Sequence, residues 1–180
     1  MNILKVTCDI NVAVQKNKMT KPPISIILEE LNIPHTVFHH ENSVHSFEQA
    51  ASDRGQRPSQ VVRSILFRVG EDDYVMALVA GPKQISWKAL RKYLGQSRLT
   101  MATEEEVLTV TGYRVGTVGP LGLLTSSSKG KQVRVLIEAS MLDEEEISIG
   151  SGMPNTAVIL KSQDLIQALK KPEVVKLIEA

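Results

Sequence analysis

The sequence predicts a mixed α/β (α+β) fold: a mixed, largely antiparallel sheet or partly closed barrel surrounded by helices. Three observations carry this expectation. SILFRV and YVMALVA, separated by Gly70-Glu71-Asp72-Asp73, are β-rich runs around a glycine and acidic residues, which is the pattern of an antiparallel hairpin. VRVLIE, EISIG and TAVILK add three strand-like segments further along the chain. Capped helical segments lie between some of these strands but not between others, so a doubly wound parallel sheet is disfavoured.

The elements follow in order. Pro22-Pro23 precede Ile24, Ile27, Leu28 and Leu31, an apolar stripe at i, i+3, i+4, i+7 that predicts an amphipathic helix ended near Pro34. HTVFH, His35 to His39, reads as a short strand. Ser46-Phe47-Glu48-Gln49 is a capping box opening a helix over EQAASDR, which Gly55 ends. Pro58-Ser59 starts a further helical turn that leads into the hairpin. Ser86 caps WKALRKYLG, with Trp87, Leu90 and Leu94 on its inner face. Thr103-Glu104-Glu105-Glu106 is a second capping box, opening EEVLTVT. Ser162 is expected to cap QDLIQALK, and Pro172 to start a last helix over EVVKLIEA.

Composition narrows the function classes. With 180 residues, 42% of them apolar and 23% charged, the chain has the material for one good core. Residues 1–21 are expected to form an N-terminal extension and residues 22–180 one domain. The 21 Lys and Arg nearly balance the 20 Asp and Glu, so any basic surface must be local. The single cysteine, Cys8, excludes an internal disulfide and a cysteine-rich zinc site, and reads as a packed side chain. Lys5, Asp9 and Asn11 interrupt the first residues too often for a signal peptide, and no run approaches the length of a membrane span. These readings predict a cytoplasmic protein without a membrane partner.

Few residues suggest chemistry by pattern alone. His35, His39, His40 and His45 cluster in sequence, but no HExxH or Cys/His pairing completes a ligand set, and on a strand His40 opposes His35 and His39. No metal and no cofactor are expected. No GxSxG elbow supports a serine nucleophile. Glu104 to Glu106 and Asp143 to Glu146 read as helix N-terminal or solvated acidic faces.

The segment GYRVGTVGPLG, Gly112 to Gly122, is the most informative stretch. Its glycines permit positive φ and let another molecule approach the backbone, so that its amides can meet an anionic or carbonyl oxygen. Pro120 fixes its own φ and biases Gly119 toward an extended conformation. A structural connection between helix and strand is the alternative. Neither a Walker loop nor a GxGxxG fingerprint is present.

This loop resembles the GxxxP loop of the YbaK-type aminoacyl-tRNA editing family, here Gly116-Thr117-Val118-Gly119-Pro120. HSFEQAA, VVRSILF, MALVAG, SWKALRKYLG, ISIGSGMPN and VILKSQDLIQAL stand around it in the family's order, so the likeness covers roughly residues 22–170. It implies the fold of that family and of the related prolyl-tRNA synthetase editing insertion. It also implies a trans-editing hydrolase that deacylates a small misacylated aminoacyl-tRNA, Ala- or Cys-tRNA(Pro)-like, with an aminoacyl-tRNA synthetase as a possible partner. In such a site the loop amides hold the ester carbonyl or the terminal adenosine, and water or the terminal ribose hydroxyl attacks. Gly112 and Gly150-Ser151-Gly152, a small-residue turn facing the loop, belong to the same implied pocket.

The departures from the family pattern are specific. The family motif V-x-K-[ST]-L appears as Val61-Val62-Arg63-Ser64-Ile65, placing Arg63 where a functional lysine is usual. Arginine stays protonated, so it can anchor an oxygen or a phosphate but cannot act as a general base at neutral pH. An exposed strand-end arginine is the alternative reading. The tyrosine and aspartate of cysteine-specific members correspond to His39 or His40 and to Ala157, and Gly119 replaces a frequent serine. For tRNA, Lys88, Arg91 and Lys92 share one helical face at i, i+3, i+4, with Lys83, Arg98, Lys129, Lys131 and Arg134 as further basic candidates. A relative that has lost catalysis and only binds tRNA, an aminoacyl-adenosine or a protein partner is the competing reading; a phosphate- or nucleotide-binding module is the third.

Overall fold

A computed structural model describes residues 21–71, 73–124, 132–170 and 172–178. The expected N-terminal extension up to residue 20, Cys8, Lys129 and Lys131 lie outside the described residues. The first elements are α1 (Pro23–Glu30), β1 (His35–His39), α2 (Phe47–Asp53), a 3₁₀ turn (Pro58–Gln60), β2 (Val62–Val69) and β3 (Asp73–Ala80). Next come α3 (Trp87–Leu94), β4 (Leu99–Met101), α4 (Glu104–Thr111) and β5 (Arg134–Glu138). A second 3₁₀ turn (Ala139–Asp143), β6 (Glu146–Gly150), β7 (Thr156–Lys161), α5 (Ser162–Leu169) and β8 (Glu173–Val175) complete the order.

The strands form two sheets, β1-β7-β6 and β4-β2-β3-β5-β8. The first is antiparallel, and the second combines the antiparallel β4-β2-β3 with parallel β5 and β8. Val61 makes a parallel bridge to Ser148, so the start of β2 also lies beside β6 and links the two sheets. The result is the mixed, largely antiparallel architecture expected, partly closed along that seam.

Side-chain alternation on β2 and β3 feeds two apolar clusters, because successive residues of a strand face opposite sides. Val62, Leu66, Met76 and Leu78 join Ile24, Leu28, Ile149, Val158 and Leu165 between the sheets and α1, α4 and α5. Phe67, Val75, Ala77 and Val79 join Ile85, Leu90 and Leu177 on the other face, under α3. Leu90 is fully buried there, Leu94 packs beside the cluster, and Trp87 meets the Phe67 ring edge-on at 5.4 Å between centroids.

The caps explain where the helices begin. Ser46, Ser86 and Thr103 accept the amides of Gln49, Ala89 and Glu106, and Glu106 returns a carboxylate to the Thr103 amide at 2.7 Å. Gln49 reaches back one residue further than the capping-box pattern implies, accepting from the His45 amide.

Two expectations fail and one strand is new. Ser162 is not a cap: Lys161 holds that position without a side-chain bond, and Ser162 is the buried first residue of α5. The short strand β4 was not expected; its three residues pair with the end of β2 from Phe67 to Val69. The predicted helix after Pro172 is instead β8, an edge strand parallel to β5. Glu173, Val174 and Val175 pair with Leu136, Ile137 and Glu138, and just beyond the strand the buried Glu138 carboxylate accepts the amides of Leu177 and Ile178.

Candidate functional site

Because β4 pairs only with the end of β2, the earlier part of that edge stays open. Leu66 gives its carbonyl to the Ala102 amide at 3.0 Å, and by alternation the backbone N–H and C=O of Ser64 point to the same edge. Here, in the fork between β4 and β6, lies a cavity of about 460 Å³. Its walls are β2 from Val62 to Leu66, Met101 and Ala102, Glu104 and Val107 of α4, Val115 to Val118 of the glycine loop except Thr117, Ile149-Gly150, Thr156 and Arg54. That size falls within the range of small-molecule sites.

The glycine loop splits into two parts with different surroundings. Gly112 ends α4 in the left-handed conformation at φ +77°. Gly116, at φ +87°, has open space where a Cβ would stand, and it lines the cavity with Val118. Neither residue's amide donates to another described residue. Thr117 is buried and turned inward, its hydroxyl donating to the Arg114 carbonyl at 2.8 Å.

Gly119 and Pro120 are buried and lie outside the cavity wall. A Cβ on Gly119 would stand 2.6 Å from the Gly150 carbonyl oxygen and from Ile24, so the serine usual in the family has no room there. Facing it, Gly150 approaches the Val118 carbonyl so closely that a Cβ would stand 2.2 Å from its oxygen, and Gly152 donates its amide to the Thr117 carbonyl. Ser151 is fully buried and shares hydrogen bonds with Thr156 and Met153. The Gly150-Ser151-Gly152 turn therefore meets the loop backbone to backbone.

Arg63 lines the cavity but its head group is engaged. It leaves β2 on the face shared with Ile65 and Phe67, donates through Nη2 to the Lys83 carbonyl, and lies 5.8 Å from the Phe47 ring centroid. Its Nε is buried without a hydrogen-bond partner, as is the Ser64 hydroxyl beside it. Burial pulls the guanidinium below arginine's usual pKa.

Lys88, Arg91 and Lys92 lie on α3, which packs against the second cluster, and none of them borders the cavity. Arg134 is paired bidentately with Glu173 at 2.9 Å. Ala157 on β7 is buried and pairs with Phe38 of β1. Among the described residues no group of three or more His, Cys, Asp or Glu could hold a metal, and no helix is long and apolar enough to cross a membrane.

The sequence reading missed Arg54. It caps the C-terminus of α2 and sits on that helix's inner stripe with Phe47, Ala50 and Ala51, at i, i+3, i+4, i+7. A charged residue on an otherwise inward stripe was the available signal. Its Nε and Nη2 donate to Nε2 of the buried His40 at 3.2 and 3.1 Å, and its Nη1 to the Ser148 hydroxyl at 2.9 Å. His40 must then accept at Nε2 and donate from Nδ1 to Asp53, 2.9 Å away. Burial lowers the Arg54 pKa, and Asp53 works in the opposite direction.

Comparison with known proteins places these features. The family model of the aminoacyl-tRNA editing domain matches residues 41–168. Proline–tRNA ligase of Thermotoga neapolitana is 40% identical over 79 residues, 44% of this chain and 14% of the ligase. That of Aquifex aeolicus is 26% identical over 116 residues, 64% of this chain and 19% of the ligase. The chain thus aligns with less than a fifth of these relatives' length. A crystal structure described as a candidate trans-editing enzyme for prolyl tRNA synthetase superposes with a TM-score of 0.70 at 26% identity, over 81% of this chain and 87% of that one. The hypothetical protein APE2540 shares the fold, with a TM-score of 0.73 at 18% identity over 84% and 96% of the chains. The chain belongs to the aminoacyl-tRNA editing domain family.

Proposed function

We propose that this protein hydrolyses the ester of a small misacylated aminoacyl-tRNA, with an Ala- or Cys-tRNA(Pro)-like substrate, acting in trans. The observation that carries this reading is the pair of unengaged amides at Gly116 and Val118 on the wall of a cavity that Gly150, in backbone contact with Val118, also lines. An aminoacyl ester is already activated, so amides aimed at the developing oxyanion, together with fixed placement of the ester, can supply most of the rate enhancement. The attacking oxygen is water or the terminal ribose hydroxyl. No side chain of the cavity is required as a nucleophile.

The site selects by volume. Gly116 and Gly150 add no side chain, while Val118, Ile149 and Val107 give an apolar lining that admits a small aminoacyl group. Lys88, Arg91 and Lys92 on α3 are the proposed phosphate contacts for the tRNA, away from the ester. Thr117, Gly119, Pro120, Ser151, Gly152 and Gly112 hold the loop's shape in this reading.

The engagement of Arg63 by the Lys83 carbonyl and Phe47 favours the second reading, a family relative that binds tRNA or an aminoacyl-adenosine without turnover. Deacylation of tRNAs charged with Ala, Cys and Ser, by the native protein and by Arg63→Lys and Arg63→Ala, decides between them. Hydrolysis of at least one substrate by the native protein is expected, with Arg63→Ala weaker. Inactivity on the whole panel with tRNA binding retained would establish the second reading.

A further inference from the structure

Arg54 is a largely buried cation on the cavity wall without a carboxylate in direct contact. Buried charges are normally paired, because removing them from water is costly. Here the carboxylate that acts on its charge, Asp53, stands on the far side of the His40 ring, and the groups that touch the guanidinium are a neutral imidazole nitrogen and the Ser148 hydroxyl. Those contacts use three of the five guanidinium N–H groups. One on Nη1 and one on Nη2 remain, on a side chain that borders the cavity.

The fixation is unusually complete. Asp53 sets the tautomer of His40, His40 takes two Arg54 donors at one nitrogen, and Ser148 on β6 takes a third. A guanidinium held in this way has lost its rotamer freedom before any ligand arrives, which favours binding of a group with two adjacent oxygens.

We propose that Arg54 forms an oxyanion subsite in the cavity, taking a phosphate or carboxylate of the ligand, with His40 and Asp53 as its positioning residues. The inference rests on the editing reading for the identity of the ligand and on the hydrogen-bond geometry for the site. A phosphate would come from the 3′-terminal nucleotide, and a carboxylate from the amino-acid portion. In either case the ligand supplies the negative charge that the protein leaves one ring away.

Calorimetric titration of the native protein with adenosine 5′-monophosphate against adenosine, and with succinate against succinamide, tests the proposal. The anionic member of at least one pair is expected to bind roughly 10- to 100-fold more tightly than its neutral counterpart. A gain in the first pair assigns the phosphate source, and a gain in the second the carboxylate source. The gain should vanish in Arg54→Gln. His40→Phe should lose it and His40→Gln, which restores an acceptor near the same place, should recover part of it.

A readout on the native chain guards against a variant that fails to fold: the Arg54 Nε–H resonance should shift with the anionic probe and not with the neutral one. Equal binding of both members in both pairs, or a gain that survives Arg54→Gln, overturns the proposal. The deacylation panel run alongside separates the two conclusions. An Arg54-dependent gain without ester hydrolysis leaves the subsite and removes the editing reading, whereas hydrolysis without such a gain does the reverse.

Discussion

Gly119 and Gly150 sit face to face with no space for a side chain on either. A Cβ at Gly119 would stand 2.6 Å from the Gly150 carbonyl oxygen, and one at Gly150 would stand 2.2 Å from that of Val118. A Cβ at Gly150 would strike only backbone, that of Val118 and Thr117, and one at Gly119 would strike the Gly150 backbone together with the Ile24 side chain, so little local adjustment can relieve either clash. This contact fixes how far the glycine loop stands from β6, and with it the depth of the cavity.

Gly150→Ala is therefore expected to destabilise the protein by about 1–3 kcal/mol, the usual range for overpacking in a tight interior. Gly119→Ser should fall in the same range despite matching the residue common in the family. Urea denaturation followed by circular dichroism checks both. A loss below about 0.5 kcal/mol for both variants would mean that the loop and the turn yield easily.

Gly116 predicts a different outcome because nothing stands within 4 Å of its missing Cβ. Its φ of +87° is the only obstacle to a side chain. Gly116→Ala should cost about 1–2 kcal/mol in backbone strain, and the methyl would stand at the cavity wall. On the editing reading, deacylation should fall by more than the stability change explains, by about 10²-fold where the loop amide is displaced from the oxyanion. Single-turnover deacylation compared with the melting curve separates the two effects.

The contrast between these glycines shows what the sequence could reveal. The glycines of GYRVGTVGPLG announce a backbone that must be approached closely, and helix caps, hairpin and strand order are equally local signals. Which glycine faces ligand and which faces β6 depends on the register of distant segments, and no local pattern encodes it. Arg54 is half legible: its place on the inner stripe of α2 follows from spacing, but His40 and Ser148 reach it from the end of β1 and from β6. β8 misled for the opposite reason. EVVKLIEA has a helix-compatible pattern, and its strand conformation goes with pairing to β5 and with the Glu138 carboxylate just beyond it, all some forty residues away.

Glu138 is buried and takes the amides of Leu177 and Ile178, with Ser140 at its other oxygen. Glu138→Ala would leave buried amides unsatisfied, at a cost of about 1–3 kcal/mol each where water cannot replace the acceptor. Hydrogen exchange should accelerate first across residues 173–178, while β2 and β3 keep their protection. Uniform acceleration across the sheet would show that the C-terminal segment is not an independent unit.

Glu106 links a helix cap to the acid stability of the wall that carries Val107. Its pKa is lowered, first by the backbone hydrogen bond from Thr103, with Tyr74, Arg68 and the Thr103 side chain adding to the shift and burial opposing it. A carboxyl whose folded pKa lies below its unfolded value adds stability that is fully present above the unfolded pKa. That contribution is lost as pH falls through the folded pKa. Glu106→Gln should accordingly flatten the fall in stability below about pH 4.3, the ordinary glutamate value, while changing it less near neutrality than Thr103→Ala, which removes the cap hydroxyl and costs about 0.5–2 kcal/mol. Melting temperatures between pH 3 and 7 for the native protein and both variants test this. Parallel acid limbs for the native protein and Glu106→Gln would show that other carboxylates, Glu173 with its Arg134 partner among them, set the acid response.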